Sequence, residues 1–399
     1  MNLGTLGHVD NGKSTLVEAL TGTWTAKHSE ELKRGITIRM GYADTAFYRC
    51  TACGMYLSDD VCQCGGKTEF LRAVSFVDCP GHHSLMVTML SGAALMDGAL
   101  LVLSAPERCP QPQDREHLAA AQIVDINQLV IVQNKIDVVD RSRILDSFAE
   151  IRSFVKGTIA ANAPVLPVSA QRSVNISAVI EAIETHIPTP NRDTEKPPNM
   201  PILRSFDVNH PGKSADLIDG GVVGGSILQG VFKVGEEIEI RPGIRVEKGG
   251  RTSYKPLFTE IVSLHAGGRS VKTASCGGLV GIGTLLDPAL TKADSLVGNV
   301  MGLPGGFPPP LDRLTLTVEL FERAMGTESQ MKVEKVRANE TLVLNIGTAV
   351  TSGVVSSARD DIIDITLRRP VCVDRDSRLA ISRRIGDSWR LIGLGLFRG

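Results

Sequence analysis

At 399 residues, 42% of them hydrophobic, the chain is long enough for two or three domains with a core each. Its 43 basic and 44 acidic residues leave a net charge of −1, which excludes a global pull on polyanions and confines any such contact to local patches. The polar, Gly-rich start and apolar runs of only strand length, such as GALLVLSA (98–105), argue against a secretory signal or membrane-spanning helix, so a soluble, cytoplasmic protein without membrane contact is expected.

The first informative stretch is LGHVDNGKST (6–15), which fits G-x-x-x-x-G-K-[ST] with Gly7, Gly12, Lys13 and Ser14 in the fixed places. Glycines let such a loop turn its N–H groups inward around phosphates. Lys13 neutralises the outer phosphates, and the Ser14 hydroxyl is suited to a magnesium ion. The nucleotide-binding residues expected here are Asp10, Asn11, Gly12, Lys13, Ser14 and Thr15. Next comes RGITI (34–38), where the Thr37 hydroxyl can close over the last phosphate and its magnesium.

Eight cysteines in a chain of this kind argue against a disulfide framework, and four of them fall between residues 50 and 64. Cys50-x2-Cys53, eight residues, then Cys62-x-Cys64 offers four thiolates for a closed tetrahedral zinc, with Gly54, Gly65 and Gly66 easing the turns of a knuckle at about 50–66. One spacer residue in the second pair is fewer than the commoner two. The alternative is a loop of reduced cysteines, which exposed thiols would make a liability.

Short apolar runs at 74–78, 98–105, 128–134 and 164–170 read as buried strands, and 84–96, 114–125, 142–161 and 176–186 as helices. This βαβ rhythm predicts a mostly parallel sheet with helices on both faces. Further motifs fall at strand ends, where open α/β sheets bind ligands. DCPG (78–81) supplies Asp78 for the magnesium shell and a Gly81 N–H for a γ-phosphate. NKID (134–137) supplies Asn134, Lys135 and Asp137. The Asp137 carboxylate accepts from guanine N1–H and N2–H2 and is left without donors by adenine. SAQ (169–171), with Ser169, Ala170 and Gln171, contacts guanine O6 from its backbone. Each motif alone is weak, but their order and placement point to GTP.

The Pro-rich segment 187–201 reads as a linker, and beyond it strands separated by Gly, Pro and Asn or Asp turns indicate antiparallel β-barrels, divided again at 302–312. The expected fold is an α/β P-loop GTPase domain over 1–196 followed by β-barrel domains over 197–307 and 308–399. Residues 366–399 carry eight arginines against three aspartates, an edge suited to RNA phosphates or equally to a solvated basic face.

The strings GHVDNGKST, CPQPQ, VQNKIDVV, RSFDVNHPG and LAISRRIGDSWRLIGLG resemble those of translational GTPases and, within them, of the gamma subunits of archaeal and eukaryotic translation initiation factor two. The resemblance runs over nearly the whole chain. It implies a protein-synthesizing GTPase, slow without a partner, that carries methionyl initiator tRNA to the small ribosomal subunit within a heterotrimer with alpha and beta subunits, and whose tRNA affinity falls on hydrolysis. A GTPase-activating factor and a nucleotide-exchange factor are implied as further partners, and GTP/GDP, magnesium and structural zinc as cofactors. Carried over by position, Thr37 belongs to the first switch and Asp78, Gly81 and His82 to the second, with Gly81 and His82 catalytic and His82 orienting the attacking water. Tyr42, Arg383 and Arg384 fall on the tRNA side. The chain departs from the pattern at Asn11, where His is usual, at Gly35 in place of Asn, and at His83 in place of an acidic residue. Competing readings are an elongation factor for selenocysteyl-tRNA, which adds a fourth domain, a GTP-driven metabolic enzyme, and a scaffold that binds GTP without hydrolysing it.

Overall fold

The computed structural model describes residues 1–25, 40–81, 86–214, 217–323 and 331–398. Two compact units account for the chain, the first built on Met1–Pro190 and including Ile385–Ile392, the second on Asn191–Phe321 and Glu334–Arg384.

The first unit begins with β1 (Asn2–Leu6), whose five residues are all buried, as a central strand covered on both faces requires. A tight loop leads into α1 (Lys13–Thr21), then β2 (Gly41–Cys50), β3 (Tyr56–Leu57) and β4 (Thr68–Asp78). There follow α2 (Met86–Ala93), β5 (Gly98–Ser104), α3 (Pro112–Ile123), β6 (Leu129–Asn134), α4 (Arg141–Val155), β7 (Val165–Pro167) and α5 (Ile176–His186). The sheet runs β3-β2-β4-β1-β5-β6-β7. From β4 to β7 it is parallel, and β2 and β3 add an antiparallel edge. All seven residues of β5 and all six of β6 are buried, which explains their unbroken apolar runs. Beneath the sheet Phe47 meets Phe76 edge-on, with ring centroids 6.4 Å apart. Because β1 lies between β4 and β5, the chain order reverses at its carboxyl end, and the crevice opened there receives the loop that follows β1.

Element boundaries differ from the sequence reading where a local stop intervenes. The helix expected over 142–161 spans Arg141–Val155, because Lys156 leaves helical geometry and Gly157 takes φ 76°. Its start is fixed by Asp140, which accepts the Arg143 N–H at 2.9 Å. The helix expected over 84–96 is described as Met86–Ala93, and residues 84 and 85 lie outside the described residues.

In the second unit, β8 (Asn199–Phe206) starts inside the segment read as linker, since Met200 and Ile202 are core residues. With β9 (Val222–Gly225), β11 (Glu237–Lys248), β12 (Arg251–Ala266), β15 (Val280–Thr284) and β16 (Val300–Gly302) it makes a ring that the β11–β12 pairing closes. The short strand β13 (Arg269–Val271) extends it, β10 (Val231–Lys233) and β14 (Thr273–Ser275) pair with each other as a separate antiparallel two-stranded sheet, and the one-turn helix α6 (Pro288–Thr291) precedes β16. The last six strands are β17 (Leu311–Leu320), β18 (Thr341–Ile346), β19 (Ala349–Arg359), β20 (Ile362–Val371), β21 (Arg378–Ile385) and β22 (Ser388–Phe397). They form a second closed antiparallel barrel in the order β17-β20-β19-β18-β21-β22. The expected fold class therefore holds: a mostly parallel α/β domain followed by two β-barrels. Among the described residues no helix is long and apolar enough to cross a membrane.

Candidate nucleotide site and cysteine cluster

The loop between β1 and α1 is positioned from several directions. Gly12 is the residue before α1 and takes φ 85°, ψ 34°, a left-handed conformation that a side chain would strain. A Cβ there would also be driven into the Asn134 amide. As in any helix, the first N–H groups of α1 lack intrahelical acceptors and can face an anion. Asn134, at the end of β6, ties the loop to the neighbouring motif: its Nδ2 donates to Asn11 O at 2.9 Å, and its Oδ1 accepts the Ala170 N–H at 3.0 Å. Asn134 thus acts as a brace between the loop and the 169–171 segment.

Lys13 is buried, and its Nζ donates to Gly7 O at 2.9 Å and His8 O at 2.7 Å. Burial lowers its pKa, with Asp78 the strongest of the opposing carboxylates. Gly81 lies against this ammonium: an added Cβ would fall 2.5 Å from Nζ and 2.7 Å from the Val9 nitrogen, so only glycine permits the approach. Asp78, fully buried at the end of β4, accepts Ser14 Oγ at 2.6 Å on Oδ2 and Thr5 Oγ1 at 2.8 Å on Oδ1. Two of the three oxygen ligands expected for magnesium, Ser14 and Asp78, are therefore adjacent, which suits the hard-oxygen chemistry of that ion.

Among the residues expected to read the base, Lys135 follows Asn134 with φ 62°, and the Asp137 carboxylate meets Arg172 Nε at 3.1 Å. The Ser169 hydroxyl and then Arg172 hold the Asp137 pKa below its ordinary value, keeping it an acceptor. Ser169 and Ala170 are buried beside it and Gln171 is exposed. Asp10 is exposed with φ 65°, and Thr15 lies half-buried on α1. Thr37 and His82 lie outside the described residues, as do Gly35 and His83.

Three residues of this site escaped the sequence reading. Thr25 donates Oγ1 to Asp78 Oδ2 at 2.6 Å across 53 positions, a pairing that no local pattern announces. Asp114 and His117, one turn apart on α3, accept the loop N–H groups of His8 and Gly7, each at 2.8 Å. The Gln111-x-x-Asp114 spacing of a capping box was a signal for the helix start, though not for the loop contact.

The four cysteines of the knuckle converge, with all Sγ atoms within 4.8 Å of one another. Cys50 and Cys64 are 3.5 Å apart, Cys53 and Cys62 3.6 Å, and Cys62 and Cys64 3.4 Å. A tetrahedron of Zn–S bonds of about 2.3 Å has edges of about 3.8 Å, so the thiols fit such an ion with little adjustment. Local turns supply the shape: Gly54 N–H donates to Cys50 O and Gly65 N–H to Cys62 O, each at 2.9 Å. The Cys53 backbone N–H leads in drawing the Cys50 thiol down to about 6, toward the thiolate that a metal takes.

On the expected tRNA side, Tyr42 is half-buried on β2 opposite Val77. Arg383 is engaged inside its barrel: Nε and Nη2 meet the Glu340 carboxylate, and Nη1 donates to Glu334 O at 2.8 Å. Arg384 is exposed beside it.

Three family models match the chain: the elongation factor Tu GTP-binding domain over 1–189, elongation factor Tu domain 2 over 220–302, and the C-terminal part of initiation factor eIF2 gamma over 312–397. Translation initiation factor 2 subunit gamma of Archaeoglobus fulgidus is 57% identical over the whole of this chain and 94% of its own length. The protein of the same name from Methanocaldococcus jannaschii is 54% identical, with coverage of 100% and 97%. Among solved structures, a bacterial selenocysteine-specific elongation factor superposes with TM-score 0.77 at 22% identity, covering all of this chain and 58% of the other. The elongation factor SelB of Methanococcus maripaludis superposes with TM-score 0.74 at 22% identity, covering 79% of that chain. At such identity these two speak for the fold alone.

Proposed function

The chain belongs to the family of translation initiation factor 2 gamma subunits, GTPases of translation initiation, and on that premise we propose that its GTP form carries methionyl initiator tRNA to the small ribosomal subunit. In this reading it is the core of a heterotrimer with alpha and beta subunits, works in the cytoplasm, and loses tRNA affinity when GTP is hydrolysed. The observation that carries the proposal is the identity of 57% to a gamma subunit along the entire chain, including the last barrel. That barrel also favours it over the selenocysteine factor, whose likeness rests on 22% identity.

The residues then divide the work. Asp137 selects guanine by accepting two donors that adenine lacks. Lys13 exchanges the Gly7 and His8 carbonyls for the outer phosphate oxygens, a swap of neutral for charged acceptors. Ser14, Asp78 and Thr37 would hold magnesium, which when bound neutralises charge on the phosphates. Gly81 offers its N–H to the γ-phosphate and His82 orients the attacking water. Turnover is slow until a GTPase-activating partner arrives, and an exchange factor restores the GTP form. Cys50, Cys53, Cys62 and Cys64 hold a structural zinc, and Tyr42, Arg383 and Arg384 face the tRNA, Arg383 after giving up part of its hold on Glu340. The domains are taken as 1–196, 197–307 and 308–399.

Binding of methionylated initiator tRNA, with and without alpha and beta subunits, in GTP-analogue and GDP forms, tests the carrier role. Tighter binding with the analogue that depends on the methionyl group supports it. Equal affinity in both nucleotide states sinks it.

A further inference from the structure

The most telling arrangement outside the motifs is the back of the phosphate loop. Helix α3 opens with Gln111 as its N-cap residue and Asp114 at its third position. The Asp114 carboxylate is 2% exposed and receives three donors. Its Oδ2 accepts the Gln111 N–H at 2.8 Å, the usual task of a capping box. Its Oδ1 turns the other way and accepts the His8 N–H at 2.8 Å and Asn11 Nδ2 at 3.1 Å. Asn11, itself 1% exposed, also donates Nδ2 to Val102 O at 2.8 Å, so its side chain links the loop to both β5 and α3.

A buried carboxylate behind an anion site opposes phosphate binding by simple Coulomb repulsion. It also costs desolvation, which charge-assisted bonds from several donors offset. Such a group is worth its place if it fixes the loop whose forward N–H groups meet the phosphate. The geometry fits that trade: the His8 N–H is drawn backward to Asp114 at the rear of the loop, on the side of α3. The Asn11 amide reaches both Val102 O and Asp114 Oδ1 from one nitrogen.

We propose that Asp114, with Asn11 as its partner, is a positioning residue of the nucleotide site: it holds the loop segment His8–Asn11 from behind in the shape that binds phosphate. The inference deepens the nucleotide-binding reading of this loop and rests on it.

The test measures dissociation of fluorescent GDP by stopped flow for the full chain and for Asp114→Ala, Asp114→Asn, Asn11→Ala and the double variant Asn11→Ala/Asp114→Ala. Amide exchange of a peptide covering residues 6–14 is followed on the nucleotide-free proteins alongside. Expected are a dissociation rate raised about tenfold in both single alanine variants, a double variant no worse than either single one, and a change of under about threefold in Asp114→Asn, which keeps Oδ1. Exchange in the 6–14 peptide should quicken in the alanine variants, with the barrel peptide 341–346 unchanged. Asn11→Ala leaves the Gln111–Asp114 cap intact and so separates loop positioning from helix stability. GDP release within threefold of the parent in both alanine variants, or additive effects, overturns the proposal. Loss of GDP binding by the unsubstituted chain would overturn the nucleotide reading itself, and exchange in the 6–14 peptide would still decide the role of Asp114.

Discussion

The phosphate loop and the cysteine knuckle are both tight, glycine-assisted turns, yet they are held in opposite ways. The knuckle is shaped by neighbours in sequence: its four thiols span residues 50–64 and its turns close on Cys50 O and Cys62 O. The loop is shaped from afar, by Asp114, His117, Val102 and Asn134, the nearest of them 91 positions from its partner. A locally built site can fail by itself, whereas a loop held by tertiary contacts fails when distant elements change.

Four measurements test this contrast. The largest expected effect is at the knuckle. Cys50→Ser/Cys62→Ser should lower bound zinc from one per chain to none by metal analysis and open residues 50–66 to rapid amide exchange, since four-thiolate zinc contributes folding free energy outright. GDP affinity should change less than twofold, and a larger loss would show the two sites to be coupled. Next is Gly12→Val, which forces a branched side chain into a left-handed backbone and against the Asn134 amide. Calorimetry should find GDP binding weakened by at least about a thousandfold, or roughly 4 kcal/mol. A smaller effect of about a hundredfold is expected for Asp137→Asn in GDP affinity, with xanthine nucleotide gaining in compensation because the carbonyl oxygen on its C2, in place of the guanine amine, complements an amide donor.

A further effect, on stability rather than on binding, is a pH dependence set by the tertiary contacts of α3. Burial pushes Asp114 up to about 6 against three backbone and side-chain donors and Lys13, and pushes Glu116 up to about 7 despite Arg390 at 3.2 Å. Both carboxyls therefore keep protons in the folded state at pH values where the unfolded chain has lost them. Stability should fall as pH rises from about 4 to about 7 and level off above, each group accounting for up to about 3 kcal/mol. Urea midpoints between pH 5 and 7.5 should show the decline, and Glu116→Gln should flatten it. An unchanged slope in that variant would mean that the Glu116 carboxyl is not held protonated.

Much of this was legible beforehand. The unbroken apolar runs of β5 and β6 announced covered strands, and the spacing of Gly7, Gly12, Lys13 and Ser14 announced the loop. Helix ends were less legible, as at Val155, because a single glycine conformation two residues on decided the stop. The arginines of the last barrel were legible only as charge. Arg383 proved to be taken up by Glu340 and the Glu334 carbonyl, partners chosen by barrel register, which composition does not encode.

By itself, then, the sequence carried the motifs on which the proposed ligand chemistry rests: the Gly7, Gly12, Lys13 and Ser14 spacing, Asp137 as the proposed guanine reader, Ser14 and Asp78 as proposed magnesium ligands, and four thiols at knuckle spacing. These depend on residue type and short spacing, and backbone geometry translates both directly. Only the tertiary structure decided which side chains stand behind the loop, that Thr25 joins Ser14 on Asp78, and that Asp114 serves helix and loop with one carboxylate. The Gln111–Asp114 cap apart, such bonds join residues 53 to 123 positions apart, and their donors and acceptors find each other only after the sheet has brought the strand ends together.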